Sequence, residues 1–155
     1  MAGRNGTERE VVVQAGDTRL EGTLALPPDP GGVVLFAHGS GSSRFSPRNR
    51  FVARMLRSAG LGTLLVDLLT PDEEESDAFS RRYRFDIELL AGRLAGVIGW
   101  LRELPDTRAL SIGLFGASTG AAAALVAAAR RPADVGCVVS RGGRPDLAGD
   151  ALPAV

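Results

Sequence analysis

The chain has 155 residues, 45% hydrophobic and 23% charged, with 18 basic side chains balanced by 18 acidic ones. Such a length and composition predict one globular domain over residues 1–155, and zero net charge supplies no field to hold nucleic acid or an anionic membrane surface. Apart from one histidine every basic residue is arginine, which removes a phosphate-loop lysine, a Schiff-base lysine and a lysine general base.

Residues Met1–Glu8 lack the apolar centre of a signal peptide, and no apolar run approaches the roughly 20 residues of a membrane span, so a cytoplasmic location is expected. Glu10–Val13 and Leu20–Leu26, on either side of Ala15-Gly16-Asp17, are expected to pair as an antiparallel hairpin. Pro27–Gly32 breaks the chain, and Val33–Ala37 is a continuous apolar run of the kind a parallel sheet buries on both faces. Ser46-Pro47 supplies an N-cap followed by proline at the first helical position. Phe51, Val52, Met55 and Leu56 give that helix its apolar face, and Gly60 closes it.

Leu61–Leu69 reads as the next buried strand and Thr70–Asp77 as a polar loop. A long helix follows from about Arg84 to Leu104, with Ile87, Leu90, Leu94, Val97, Ile98 and Leu101 on one face, Trp100 packed toward the sheet, and Pro105 as the stop. Arg81, Arg82 and Arg84 sit where the helix dipole disfavours positive charge, so pairing with the preceding acidic stretch is expected. A strand over Ala109–Phe115, a helix to Arg131 and a strand over Val135–Ser140 complete the pattern. Cys137, the one cysteine, excludes an internal disulfide and reads as a small buried hydrophobe. The fold class is therefore α/β: a mostly parallel sheet of about six strands, helices on both faces, and an antiparallel hairpin at the N-terminus.

Between the apolar run ending at Phe115 and the alanine-rich run from Ala121 stands Gly116-Ala117-Ser118-Thr119-Gly120. G-x-S-x-G between a strand and a helix is the pattern of a nucleophile elbow, in which glycines permit a very tight turn and the serine is held strained with its hydroxyl exposed. Ser118 is the candidate nucleophile. The glycine-rich stretch His38-Gly39-Ser40-Gly41-Ser42-Ser43 leaves the C-terminal end of a buried strand, where open α/β sheets place their sites. Backbone N–H groups of Ser40 and of Thr119, the latter at a helix N-terminus, are the candidate oxyanion donors. The same loop is no dinucleotide site, because no third glycine completes G-x-G-x-x-G.

These residues together resemble the α/β-hydrolase superfamily, and within it the dienelactone hydrolase-like group: the HGSGSS run His38–Ser43, Asp67 at its strand end, and the GASTG elbow, in order along the whole chain. The resemblance implies an α/β-hydrolase fold and hydrolysis of a carboxylic ester or thioester through an acyl-enzyme on Ser118, with no cofactor and a small-molecule ester as substrate. The enzyme naming the group has cysteine at the elbow, so serine here points to an esterase-like variant. In the family Asp67 ties loops together and His38 belongs to the oxyanion loop. The family's catalytic acid and histidine follow strands later than Val135–Ser140, which places both beyond this sequence and predicts an impaired, truncated copy. A non-catalytic remnant or interaction module is the competing expectation. An apolar last strand would also leave an open sheet edge for self-association.

His38 and the two arginines that follow the last strand, Arg141 and Arg144, are candidate substrate contacts, the arginines as a fork for a carboxylate. Asp146 reads as a solvated loop residue. Asp72–Asp77 is not expected to bind a metal, since contiguous carboxylates repel and lack the alternating spacing of a calcium loop.

Overall fold

The computed structural model describes residues 6–155. Its elements are β1 (Thr7–Ala15), β2 (Thr18–Leu26), β3 (Val33–Ala37), α1 (Pro47–Ser58), β4 (Gly62–Val66), α2 (Pro71–Ser80), α3 (Ile87–Glu103), β5 (Ile112–Ala117), α4 (Thr119–Arg130) and β6 (Val135–Arg141). A 3₁₀ segment kinked at Gly149, Pro145–Ala154, follows. One sheet holds all six strands in the order β1-β2-β4-β3-β5-β6. The hairpin strand β2 is antiparallel to both β1 and β4, whereas β4, β3, β5 and β6 run parallel. The α/β class, strand number and hairpin expected from the sequence are the ones observed.

Alternation along the central strands divides the core. Leu35, Leu64 and Leu114 face α3 and α4, where they meet Leu94, Ile98 and Leu101. Phe36 and Leu65 face α1 and pack with Ala53, Val52 and Leu56. The alanines of α4 have a purpose in this arrangement: Ala121, Ala122, Ala123, Ala124 and Ala127 are fully buried, so short side chains bring the helix axis close to the sheet. Trp100 is partly buried against the same core. Helix α1 starts as its sequence predicts, with Ser46 Oγ accepting the Asn49 N–H at 3.3 Å and Pro47 in the first turn, and Gly60 just past its end has φ +88°.

Three expectations need correction. Thr70–Asp77 is no loop: Thr70 caps α2, its hydroxyl accepting the Glu73 N–H while the Glu73 carboxylate accepts the Thr70 N–H. The long helix begins later than Arg84, at Ile87, because the Asp86 carboxylate accepts the Leu89 N–H at 3.0 Å and caps it there. Arg81, Arg82 and Arg84 thus lie before it, and Arg84 pairs with Asp77 as anticipated. Finally, Cys137 is exposed, not buried. Its strand β6 pairs only with β5, and Cys137 and Val139 stand opposite Gly113 and Phe115 on the sheet face that α1 covers only over β3 and β4. Val139 is correspondingly 49% exposed.

Candidate active site

Ser118 joins β5 to α4 with φ 54° and ψ −124°, a conformation that non-glycine residues adopt at a cost of about 1–3 kcal/mol. The main chain on both sides holds it there: its N–H donates to Arg141 O at 3.3 Å and its carbonyl accepts the Ala121 N–H at 3.1 Å. Serine at a helix start ordinarily caps the helix, but the Ser118 hydroxyl makes no capping bond and the residue is exposed. The flanking glycines explain the sequence of the turn. A Cβ on Gly116 would lie 2.7 Å from Ala121 N, and one on Gly120 would lie inside 3 Å of Ala37 O and His38 O. Both contacts are with backbone, so the elbow closes only if those positions are glycine.

Ser40 and Thr119, 79 residues apart in sequence, meet beside the elbow. The Ser40 N–H donates to Thr119 Oγ1 at 3.0 Å, the two hydroxyl oxygens are 2.8 Å apart, and the Ser40 hydroxyl donates to Arg84 O at 3.0 Å. Thr119 is the first residue of α4, so its own N–H has no partner within the helix. In this structure the Ser40 N–H, offered by the sequence as an oxyanion donor, is thus taken by a side chain, while the Thr119 N–H is not.

His38 is buried and lies in the same loop. Its Nε2 accepts the Leu68 N–H at 3.0 Å, which places the ring proton on Nδ1, where it is donated to Gly39 O at 2.9 Å. Both ring nitrogens therefore hold backbone and neither is directed at Ser118. Leu68 is fixed from its other side by Arg93 Nη1, which donates to Leu68 O at 2.8 Å and also pairs with Glu73. This buried arginine on the apolar face of α3 was not legible in the periodicity of the helix.

Helix α2 covers the loop. A narrow crevice is lined by His38, Ser40, Thr119 and Leu68 on one side and by Glu74, Asp77 and Arg84 on the other. Asp77, 1% exposed, accepts the Tyr83 N–H at 2.6 Å and Arg84 Nε at 2.6 Å. Burial pushes its pKa up, but the Arg84 guanidinium and the Tyr83 and Arg84 amides outweigh burial and hold it below the ordinary 3.8. Glu73 is also held below its ordinary 4.5, burial again being overcome by Arg93 and the Thr70 amide. The signal for α2 was present in Thr70-Pro71-Asp72-Glu73, a capping box with proline in the first turn.

Groups with depressed folded pKa values contribute stability that is complete above their unfolded values and is lost as pH falls through the folded ones. The urea midpoint is therefore expected to be flat from about pH 7 to about pH 5 and to fall below roughly pH 4.5 as Glu73 and Asp77 protonate. A midpoint at about pH 3 equal to that at neutrality would contradict this assignment.

The remaining candidates separate. Arg144 grips Asp146 through both ends of its guanidinium, at 3.0 and 2.8 Å, so each is engaged by its neighbour on the surface. Arg141 lies with its guanidinium over the Phe115 ring, 5.6 Å from the centroid, and its carbonyl holds Ser118. Asp67 accepts the Arg44 N–H at 2.7 Å and pairs with its guanidinium, tying the loop after β3 to the end of β4. Among the described residues no group of three or more His, Cys, Asp or Glu side chains could hold a metal ion, and no helix is long and apolar enough to cross a membrane.

No protein-family model matches the chain. Two Mycobacterium tuberculosis proteins, from strains CDC 1551 and H37Rv, each named "Putative phosphoribosyl transferase", are 60% identical over 148 residues, which is 96% of this chain and 32% of theirs. The chain thus spans about a third of the length of the curated relatives it matches. The crystal structure of a dienelactone hydrolase from Anabaena variabilis is 60% identical with a TM-score of 0.95, covering 97% of this chain and 70% of that one. An esterase from Pyrococcus furiosus, 20% identical, superposes with a TM-score of 0.72 over 89% of this chain and 53% of its own, a likeness of fold.

Proposed function

The chain belongs to the dienelactone hydrolase family of α/β-hydrolases, and from that premise we propose that it carries the nucleophile half of a serine hydrolase acting on carboxylic esters or thioesters. Ser118 loses its proton to a base and attacks the substrate carbonyl, the ester or thioester bond breaks with departure of the protonated alcohol or thiol, and water then hydrolyses the acyl-serine to release the acid and restore Ser118. The observation that carries this reading is the Ser118 backbone, forced into a glycine-like conformation at the strand–helix junction with its hydroxyl exposed and excused from capping. The Thr119 N–H, at the positive end of α4, receives the developing oxyanion, and the Ser40 N–H joins it once the substrate oxygen replaces Thr119 Oγ1 as its acceptor.

A nucleophilic serine needs a base to take its proton. The sole histidine, His38, has both ring nitrogens committed to backbone, so the base that takes the Ser118 proton is a group other than His38. The same observation favours a second reading, a non-catalytic member of the family. The transferase name of the M. tuberculosis proteins is not carried over to this chain, which covers about a third of their length and is equally identical to a dienelactone hydrolase from Anabaena.

Fluorophosphonate labelling followed by intact mass decides between the readings. The 155-residue chain is expected to label only at the background rate of an unactivated alcohol, and a chimera appending the uncovered part of the Anabaena enzyme is expected to label rapidly at one site, lost in Ser118→Ala. Labelling that survives Ser118→Ala would remove Ser118 as nucleophile, and a chimera that never labels would leave the non-catalytic reading.

The open edge of β6 adds a partner to this reading, a second copy of the chain paired edge to edge. Sedimentation velocity is expected to show concentration-dependent doubling of the 16.2 kDa mass, suppressed by Val139→Lys. Equal behaviour of the two proteins would discard the pairing.

A further inference from the structure

The hydroxyl of Thr119, which yields the Ser40 N–H to the substrate oxygen in the proposed reaction, sits at the centre of a hydrogen-bond chain that runs in one direction. Arg84 O can only accept, so the Ser40 hydroxyl proton goes to it, across 3.0 Å. With that proton spent, Ser40 Oγ can only accept from Thr119 Oγ1, 2.8 Å away, and Thr119 Oγ1 in turn accepts the Ser40 N–H at 3.0 Å. The order is then Ser40 N–H to Thr119 Oγ1–H to Ser40 Oγ–H to Arg84 O, with every donor and acceptor satisfied in a part-buried site.

The far end of the chain is anchored. Arg84 is clamped by Asp77, through Nε to Oδ2 at 2.6 Å and Nη2 to Asp77 O at 3.0 Å, and Asp77 is a buried residue of α2. Gly39, next to Ser40, is equally constrained, since a Cβ there would stand 3.2 Å from both Ala117 O and Ser118 Cβ. The Ser40 amide thus reaches the elbow on a short glycine loop whose position is set by one side chain of α4 and, through Arg84, by α2.

We propose that the Thr119 hydroxyl is a positioning group that holds the Ser40 N–H at the elbow, and that the Asp77–Arg84 pair on α2 sets this latch, so that the cover helix decides whether the second oxyanion donor is in place. The proposal rests on the hydrolase reading for its consequence but not for its geometry. Thr119 acts through Ser40: when a substrate oxygen takes the Ser40 N–H, the hydroxyl keeps its bond to Ser40 Oγ, and the loop stays where the oxyanion forms.

Two measurements test it. In the 155-residue chain, amide hydrogen exchange by NMR is expected to find the Ser40 N–H protected and its exchange accelerated at least about tenfold in Thr119→Val, restored in Thr119→Ser, and accelerated also in Asp77→Asn. In the chimera described above, Thr119→Val is expected to slow labelling of Ser118 and to lower kcat by roughly a hundredfold with KM little changed, Thr119→Ser again recovering most of the loss. A Ser40 amide that exchanges as fast in the parent chain as in Thr119→Val overturns the latch, as does a chimera whose labelling rate ignores Thr119→Val. A parent chimera that does not label at all overturns the hydrolase reading instead, and the exchange measurement still decides the latch.

Discussion

Gly120→Ala is expected to remove on the order of 3 kcal/mol or more of folding stability, the upper range for a single added methyl. The new Cβ would press into the carbonyl oxygens of Ala37, the last residue of β3, and His38, the residue after it. Neither obstacle is a side chain that can rotate away. Relief requires lifting the start of α4 off β3, which breaks the packing of Ala121 to Ala124 and separates Ser118 from His38–Ser43. Gly116→Ala meets Ala121 N and Cα in the same way and should cost a similar amount. Gly92→Ala is the control: it lies on the exposed side of α3 with nothing within 4 Å of the added atom, and should stabilise by about 0.5–1 kcal/mol. Urea unfolding of the three variants measures this directly. Loss at Gly120 no greater than at an ordinary surface site would mean that the elbow is not closed by backbone contact.

Ser118→Gly is expected to stabilise the chain by about 1 kcal/mol while abolishing every trace of fluorophosphonate labelling. Ser118→Ala should abolish labelling equally but leave stability unimproved, because alanine is as strained at φ 54°, ψ −124° as serine. The comparison isolates the strain, since both variants lose the same hydroxyl. A glycine variant no more stable than the alanine variant would show that the turn stores no strain, and would take away the main support for reading the serine as held for chemistry.

The sequence discloses the sheet and the elbow for a physical reason: both are local. An apolar run, two glycines around a serine and an alanine-rich helix lie within 20 consecutive residues, and each constrains the next. The latch is the opposite case. Ser40 and Thr119 are 79 residues apart and Arg93 reaches Glu73 over 20, so nothing in either neighbourhood announces the partner. Helix α2 lies between these extremes. Of its residues only Asp77 is buried and Phe79 is 90% exposed, so apolar periodicity, the main sign of a helix, is missing, although the Thr70–Glu73 capping box was there to be read. Cys137 misled because an apolar run looks the same whether a sheet is covered on both faces or on one. Only the position of β6 at the end of the strand order, with α1 seated over β3 and β4, distinguishes them.

The two borders of the sheet are unlike. The β1 border carries Glu8, Arg9 and Glu10, exposed and alternating in sign, which discourages another strand from pairing there. The β6 border presents Val135-Gly136-Cys137-Val138-Val139, with no charge until Arg141. A layer with one blunted and one adhesive border has a valence of one. Two copies that joined through β6, as proposed above, would use up the one uncharged sheet border among the described residues, and the product would be bounded on both sides by charged hairpins. A second copy pairing through β6, as proposed above, would therefore close into a symmetric pair rather than the open-ended ribbon that two adhesive borders would permit.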